Sequence, residues 1–378
     1  MTTSYDAIVL GLGGMGSSAA YHLARRGKRV LGLEQFTPTH DRGSSHGRSR
    51  IIRQAYAEGA MYVPLLLRAY ELWRELEMET GRVLMQITGG LMIGDPNSKT
   101  VSGALASARQ YGLAHELLDS TDVRRRFPAF HVDREVALYE AVAGALFPED
   151  CVTAHIEQAA ASGAELHFET PATAWRAIDD GVEVEAGGQT YRAERLIVTA
   201  GAWAGQILAA LSLPLLPERN LIYWFVPAAN PEQFAPGLFP IFIWDGPGFP
   251  LYGLPDLRGD GPKAGIHHSG VTVDPSDLCR DVHEYEVAAI RQRLQECLPA
   301  MNGRLRSAAV CMYTNTPDEH FAIGVHPTLP QVSIAAGFSG HGFKFASVVG
   351  EVMADLATDG QTRHPISPFA LGLSLIHI

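Results

Sequence analysis

The chain is poor in cysteine. Four occur in 378 residues, at positions 151, 279, 297 and 311, and no two stand in a CxxC spacing. A disulfide framework is not expected at this length, and neither is a zinc site. His320, His326 and His341 lack ligand spacing and no HExxH occurs, so no metal site is expected. Positive charge is also scarce. The formal net charge is −11, and the one basic run, RRR at 124–126, reads as a solvated face and not as a nucleic-acid footprint. No run of about 18 apolar residues exists, so no membrane span is expected. The N-terminus has no basic stretch leading into a long apolar one, so no secretory signal is expected. These absences fit a protein of the reducing cytoplasm that binds neither nucleic acid nor membrane. No internal repeat or low-complexity segment is evident, and the apolar ending LGLSLIHI is assigned no function.

What is present is an ordinary globular composition, 46% hydrophobic and 19% charged, which argues against disorder. The length suits two domains or one large α/β unit.

The first forty residues carry the clearest signal. DAIVLG is an apolar run of the kind found in a buried parallel sheet. GLGGMG follows, a GxGxxG with Gly11, Gly13 and Gly16, and then SSAAYHLARRG, a helix stopped by Gly27. KRVLGLE is a second strand ending in Glu34, 18 residues past Gly16. The glycines allow a tight turn and close approach of backbone to a pyrophosphate at the helix N-terminus, and the acid suits ribose hydroxyls. A lone GxGxxG is weak, but the whole strand–motif–helix–strand–acid unit is strong. It predicts a dinucleotide and leaves NAD, NADP and FAD open, with Glu34 disfavouring the 2′-phosphate of NADP.

Farther on, Leu65, Ala69, Leu72 and Leu76 predict an amphipathic helix over 60–79. Residues 181–205 read as a hairpin and then a buried strand, RLIVTAG, that returns the chain to the dinucleotide fold. Residues 215–275, rich in Pro, Gly and aromatics, read as a separate antiparallel sheet over the cofactor. Residues 281–298 are helical, with Val287, Ile290, Leu294 and Leu298 on one face. QVSIAAG is a strand, and SGHGFKFASVVGEVMADLATDG a Gly-rich turn opening a helix. Cys311, in CMYTNTPDEHF, could on that stretch alone be a small buried hydrophobe, a redox thiol, a nucleophile, a metal ligand or a point of covalent attachment.

Four blocks together resemble the monomeric sarcosine oxidase and N-methyl-L-tryptophan oxidase family of flavin-dependent amine oxidases: GLGGMG, GSSHGRSRIIRQAYAEGAMYVPL, YGLPDLRGDGPKAGIHHSG, and CMYTNTPDEHF with GFSGHGFKFAS. The similarity runs along nearly the whole chain. It implies an α/β fold, with a Rossmann-like FAD-binding domain (1–82, 144–214 and 309–378) and a second α+β substrate domain on an antiparallel sheet (83–143 and 215–308). It implies a monomer, as in the family name, and oxidation of a secondary amine to an imine with O2 reduced to H2O2.

The resemblance also assigns residues. Cys311 matches the cysteine that bonds the flavin 8α-methyl through a thioether. Arg53 and Lys344 match the pair that holds the substrate carboxylate, Arg offering a fork and Lys a point charge. Arg50 matches an arginine packed on the flavin face, with His46 and Ser49 beside it. Lys263 matches the lysine that activates oxygen, and Tyr252 and His267 match pocket residues. His268 is left out, since on a strand it points the other way. The cofactor cradle is expected from Gly11, Gly13, Gly14, Met15, Gly16, Glu34, Ser44, Gly340, Gly342 and Phe343, and the helix after SGHGF is expected to aim its N-terminus at the flavin pyrimidine. Three features depart from the family pattern. Ser45 stands for a His and Arg48 for an Asp, altering charge near the flavin, and the wall segment FPIFIWDGPGFPLYG, with Ile243, implies a pocket of different size. Rival readings are an FAD- or NAD-dependent dehydrogenase, a deglycating fructosyl amino acid oxidase and a non-catalytic flavin-binding protein.

Overall fold

The strand Ser4–Leu10 forms because five of its seven residues are buried, with Ile8 and Val9 wholly enclosed. It pairs in parallel with Val30–Leu33 on one side and Gln189–Val198 on the other. Parallel pairing buries both faces, which explains the continuous apolar runs. A computed structural model describes residues 4–246 and 250–371. Among them, an eight-stranded sheet runs in the order Ala172–Ile178, Gly181–Ala186, Gln189–Val198, Ser4–Leu10, Val30–Leu33, Glu165–His167. Val332–Ala336 adds in parallel to Gln189–Val198 and carries the antiparallel strand Ala322–Val325. The helices Gly14–Arg25, Val63–Thr80, Pro148–Ala161 and Ala346–Asp359 contribute to one apolar core against this sheet. Leu65, Ala69, Leu72 and Leu76 form the buried stripe of Val63–Thr80, as their spacing predicts.

The second sheet has nine strands and is antiparallel except where Ile241–Trp244 lies parallel to Gly90–Gly94. Its core gathers Phe130, Phe225, Phe239 and Phe242 with Ile290 and Leu294 of the helix Glu284–Cys297. A small three-stranded sheet of Arg50–Ile52, Gly144–Leu146 and Met85–Ile87 lies apart from both.

One boundary differs from expectation. The strand Arg304–Asn315 pairs with Leu216–Val226 over nearly its whole length, Cys311 opposite Asn220. It therefore belongs to the second sheet, and a division at 308/309 cuts it. Apolar content alone does not reveal which sheet a strand joins; ladder hydrogen bonding decides that. The ending LGLSLIHI lies outside the described residues after Leu371, and so do residues 247–249 of the wall segment. No described helix is long and apolar enough to cross a membrane.

Candidate active site

A cavity of about 610 Å³ runs between the two large sheets, from the first glycine turn to the Lys344 region. Its two ends are built differently.

At the nucleotide end the walls are backbone. Gly11 has φ +87, and a side-chain carbon there meets the Thr199 carbonyl oxygen at 2.7 Å. At Gly16 the same atom falls 1.8 Å from the Gly11 oxygen, so strand and helix approach as only glycine permits. Gly13 caps the helix Gly14–Arg25 without a side-chain bond. Ser45 accepts from the Gly14 amide at 3.0 Å. Glu34 is buried and lines the cavity, but its carboxylate also accepts from the amides of Leu12 at 2.8 Å and Phe36 at 3.0 Å. It fixes the turn as well as facing the cavity.

The middle is where the sheets meet. Cys311 is 3% exposed and lines the cavity. Ser44 Oγ donates to the Met312 carbonyl at 2.6 Å, tying the 43–50 segment to the cysteine strand. Arg50 donates to the Ser44 and Ser49 carbonyls at 2.8 and 2.9 Å and reaches Cys311 Sγ at 3.4 Å. That places a guanidinium cation directly beside the thiol. Asn220, opposite Cys311, also lines the cavity and has a buried Oδ1 without a partner. A glycine cradle at a helix N-terminus, a buried thiol and an orphaned amide on one elongated cavity fit FAD.

The far end is made of buried cations. Lys263 is 2% exposed and donates to the carbonyls of Gly47 at 2.9 Å and Ser49 at 2.7 Å. Burial, aided by Arg50, pushes its ammonium well below the ordinary lysine range. Lys344 donates to Tyr56 Oη at 3.1 Å and to the His341 carbonyl at 2.6 Å. Burial and the nearby Arg53 bring it down to about 7. Arg53 is 2% exposed; its Nη2 reaches both oxygens of Glu58 at 2.8 and 2.7 Å, and its Nη1 donates to the Ala55 carbonyl at 2.8 Å. Its Nε has no partner.

Tyr252 and His267 flank this end with rings 6.4 Å apart. Burial raises the Tyr252 phenol to about 12 and, with His268 adjacent, lowers His267 to about 3. His267 is thus neutral, and its Nδ1 lies 3.1 Å from Tyr313 Oη.

The cavity brings together Gly11, Gly13, Gly14, Met15, Glu34, Ser44, Arg50, Arg53, Tyr252, Lys263, His267, Cys311, Gly340, Gly342, Phe343 and Lys344. Gly16 packs beneath the turn. His46 is not brought to the cavity: it is buried with Nε2 unpartnered, and burial beside Arg50 lowers it to about 3. Two further expectations change. His268 does face the cavity, because the strand Lys263–Ile266 ends before it and its φ of 53 breaks the alternation. Arg48 does not line it: its charge goes to Asp260 at 2.8 Å and over the Trp224 ring. Ile243 lines the wall as expected. The segment Gly340–Lys344 lines the cavity immediately before the helix Ala346–Asp359. Among the described residues no group of three His, Cys, Asp or Glu could hold a metal.

Tyr313, Tyr56, His341, Glu58 and Asn220 also line the cavity or hold its cations, and sequence reading passed over them. Tyr313 had a usable signal: it stands two residues from Cys311 on one strand and so shares its face.

These are the parts of a flavin-dependent oxidoreductase, and the family model described as FAD dependent oxidoreductase matches residues 6–356. A monomeric sarcosine oxidase of Streptomyces avermitilis is 51% identical over 374 residues, 98% of this chain and 97% of that protein. An N-methyl-L-tryptophan oxidase of Yersinia pestis is 37% identical over 371 residues, 97% of this chain and 98% of that protein. A solved open form of a variant of NikD, described as an unusual amino acid oxidase essential for nikkomycin biosynthesis, superposes with a TM-score of 0.86 at 26% identity, covering 98% of this chain and 97% of that one. The chain belongs to the FAD-dependent oxidoreductases, in the family of the monomeric sarcosine oxidases and N-methyl-L-tryptophan oxidases.

Proposed function

We propose that this protein is an FAD-dependent amine oxidase. It oxidises the C–N bond of a secondary amino acid, N-methylated or cyclic, to an imine, and O2 becomes H2O2. The observation that carries this reading is the convergence of Lys263, Arg53 and Lys344, all buried, on a cavity that also holds the Cys311 thiol.

The flavin, when bound, supplies the acceptor for the substrate hydride and the donor to oxygen. The chain supplies binding and electrostatics. Lys344 and Arg53 receive the substrate carboxylate. The Nη2 of Arg53 is already paired with Glu58, so an incoming carboxylate at that nitrogen competes with that side chain. Neutral His267 and the phenols of Tyr252 and Tyr313 line the amine region without adding charge to it. Lys263, fixed by two backbone carbonyls, is a preorganised cation for the negative charge that develops on oxygen. Cys311 is the proposed attachment point, with the Arg50 guanidinium 3.4 Å from its sulfur. The same reading takes the enzyme as a monomer of the cytoplasm, in keeping with the relatives' printed name and with four free cysteines.

The test is a peroxide screen of the purified yellow protein against N-methyl amino acids, cyclic imino acids and glycated amino acids. Peroxide from the first two groups supports the reading. Peroxide from glycated amino acids alone assigns a deglycating enzyme, and turnover only with a dye acceptor assigns a dehydrogenase.

A further inference from the structure

Lys344 does not stand alone. Its ammonium lies 3.1 Å from Tyr56 Oη, and Tyr56 Oη lies 2.8 Å from His341 Nδ1. The other ring nitrogen of His341, Nε2, lies 3.0 Å from the Glu319 carbonyl oxygen. Proton positions along this chain follow from chemistry. A carbonyl only accepts, so His341 Nε2 carries the hydrogen. Burial, only partly countered by Glu58, lowers His341 to about 4, so the ring is neutral and Nδ1 is an acceptor. The Tyr56 hydroxyl therefore donates to Nδ1, and its lone pairs are turned to Lys344. Tyr56 is fully buried, so this order has no solvent alternative.

We propose that Tyr56 and His341 are positioning residues that hold the Lys344 ammonium, protonated, toward the carboxylate of the substrate. This rests on the amine-oxidase reading of the site. The need for such a device is visible in the surroundings. Arg53 faces Lys344 and opposes its charge, while Glu58 supports it but is committed to Arg53. His341 and His267 are neutral and add no further positive charge. With the lysine at about 7, the cation is present below that pH and is lost above it, so carboxylate binding weakens as pH rises through the neutral range. An oriented acceptor on the ammonium raises the lysine, extending binding to higher pH.

Tyr56→Phe removes the hydroxyl and keeps the ring, over which Arg53 and Lys344 both sit at 4.4 and 5.1 Å. The measurement is the Kd of methoxyacetate, a carboxylate without the reacting amine, by calorimetry on the flavin-loaded protein from pH 6 to 9. In the parent, Kd rises with pH and Lys344→Met removes that rise. In Tyr56→Phe the midpoint of the rise falls by about one pH unit, and Kd at pH 8 increases about tenfold. His341→Leu, which removes the acceptor behind the hydroxyl, moves the midpoint in the same direction by less. The rate of anaerobic flavin bleaching at saturating substrate changes by less than about threefold in Tyr56→Phe, since chemistry is not asked of this group. An unchanged midpoint in both variants, with Lys344→Met still weakening the ligand, overturns the positioning role and leaves the anchoring role intact. If Lys344→Met binds methoxyacetate as the parent does at every pH, the carboxylate assignment falls, and this inference falls with it.

Discussion

The two ends of the cavity hold ligands by opposite means. The nucleotide end uses backbone: a glycine turn, a helix N-terminus, and Glu34 spending its carboxylate on the amides of Leu12 and Phe36. The far end uses side-chain charge taken out of water, with Lys263 and Lys344 resting on carbonyls of Gly47, Ser49 and His341. A backbone site binds tightly and changes little during a reaction. A buried cation is costly at rest and favourable when negative charge arrives, which is the requirement of catalysis. Changes at the first end should therefore act on cofactor retention and stability. Changes at the second should act on individual steps.

The largest effect is expected at Gly16. Gly16→Val puts a branched carbon 1.8 Å from the Gly11 oxygen and 2.5 Å from Thr199 Oγ1, which neither backbone nor hydroxyl can clear without moving the turn. The purified protein should lack flavin absorbance; a fully yellow protein would remove the turn from the cofactor site. Next in size is Lys263→Met. Removal of one preorganised charge-stabilising group costs about a hundred- to thousandfold. Stopped-flow reoxidation by O2 should slow by that amount, while anaerobic bleaching by substrate stays within about tenfold. Equal slowing of both steps would make Lys263 a general structural lysine and dissolve the contrast between the ends. Arg53→Lys keeps a charge facing Glu58 but loses the planar guanidinium that serves Ala55 and Glu58 at once. It should raise KM for an N-methyl amino acid about tenfold, and much less for an amine without a carboxylate. Equal changes for both would deny carboxylate recognition. The smallest effect belongs to Glu34→Gln, which removes one charged acceptor worth about 1.5–3 kcal/mol. It should lower the thermal midpoint and leave turnover by the flavin-loaded fraction unchanged.

The same contrast explains what could be read from sequence. The nucleotide end is contiguous: turn, helix, strand and acid fall within residues 4–34, so local spacing specifies it. The far end is assembled from segments near residues 50, 250–268, 311 and 340, and only family resemblance brought Lys263, Arg53 and Lys344 together. Resemblance carried residue types and not their orientation. It placed His46 beside Arg50 near the flavin, and the structure shows it buried there with its Nε2 unpartnered and not itself among the cavity-lining residues. It gave no sign that Arg48 would be neutralised outside by Asp260, or that Arg53 would be gripped by Glu58. Strand alternation misjudged His268 because the ladder stops at Ile266, and it would have found Tyr313 had it been applied forward from Cys311.

Cys311 stands where the two ends meet, on a strand of the second sheet tied by Ser44 to the first half of the chain. Its proposed role is the single covalent joint between protein and cofactor. Intact-mass measurement of denatured protein tests that most directly. The parent should be heavier than its sequence by one flavin, and Cys311→Ala should return to the sequence mass with its flavin released into the acid supernatant. A parent at the bare sequence mass, or a Cys311→Ala variant that still carries the added flavin, would contradict the account.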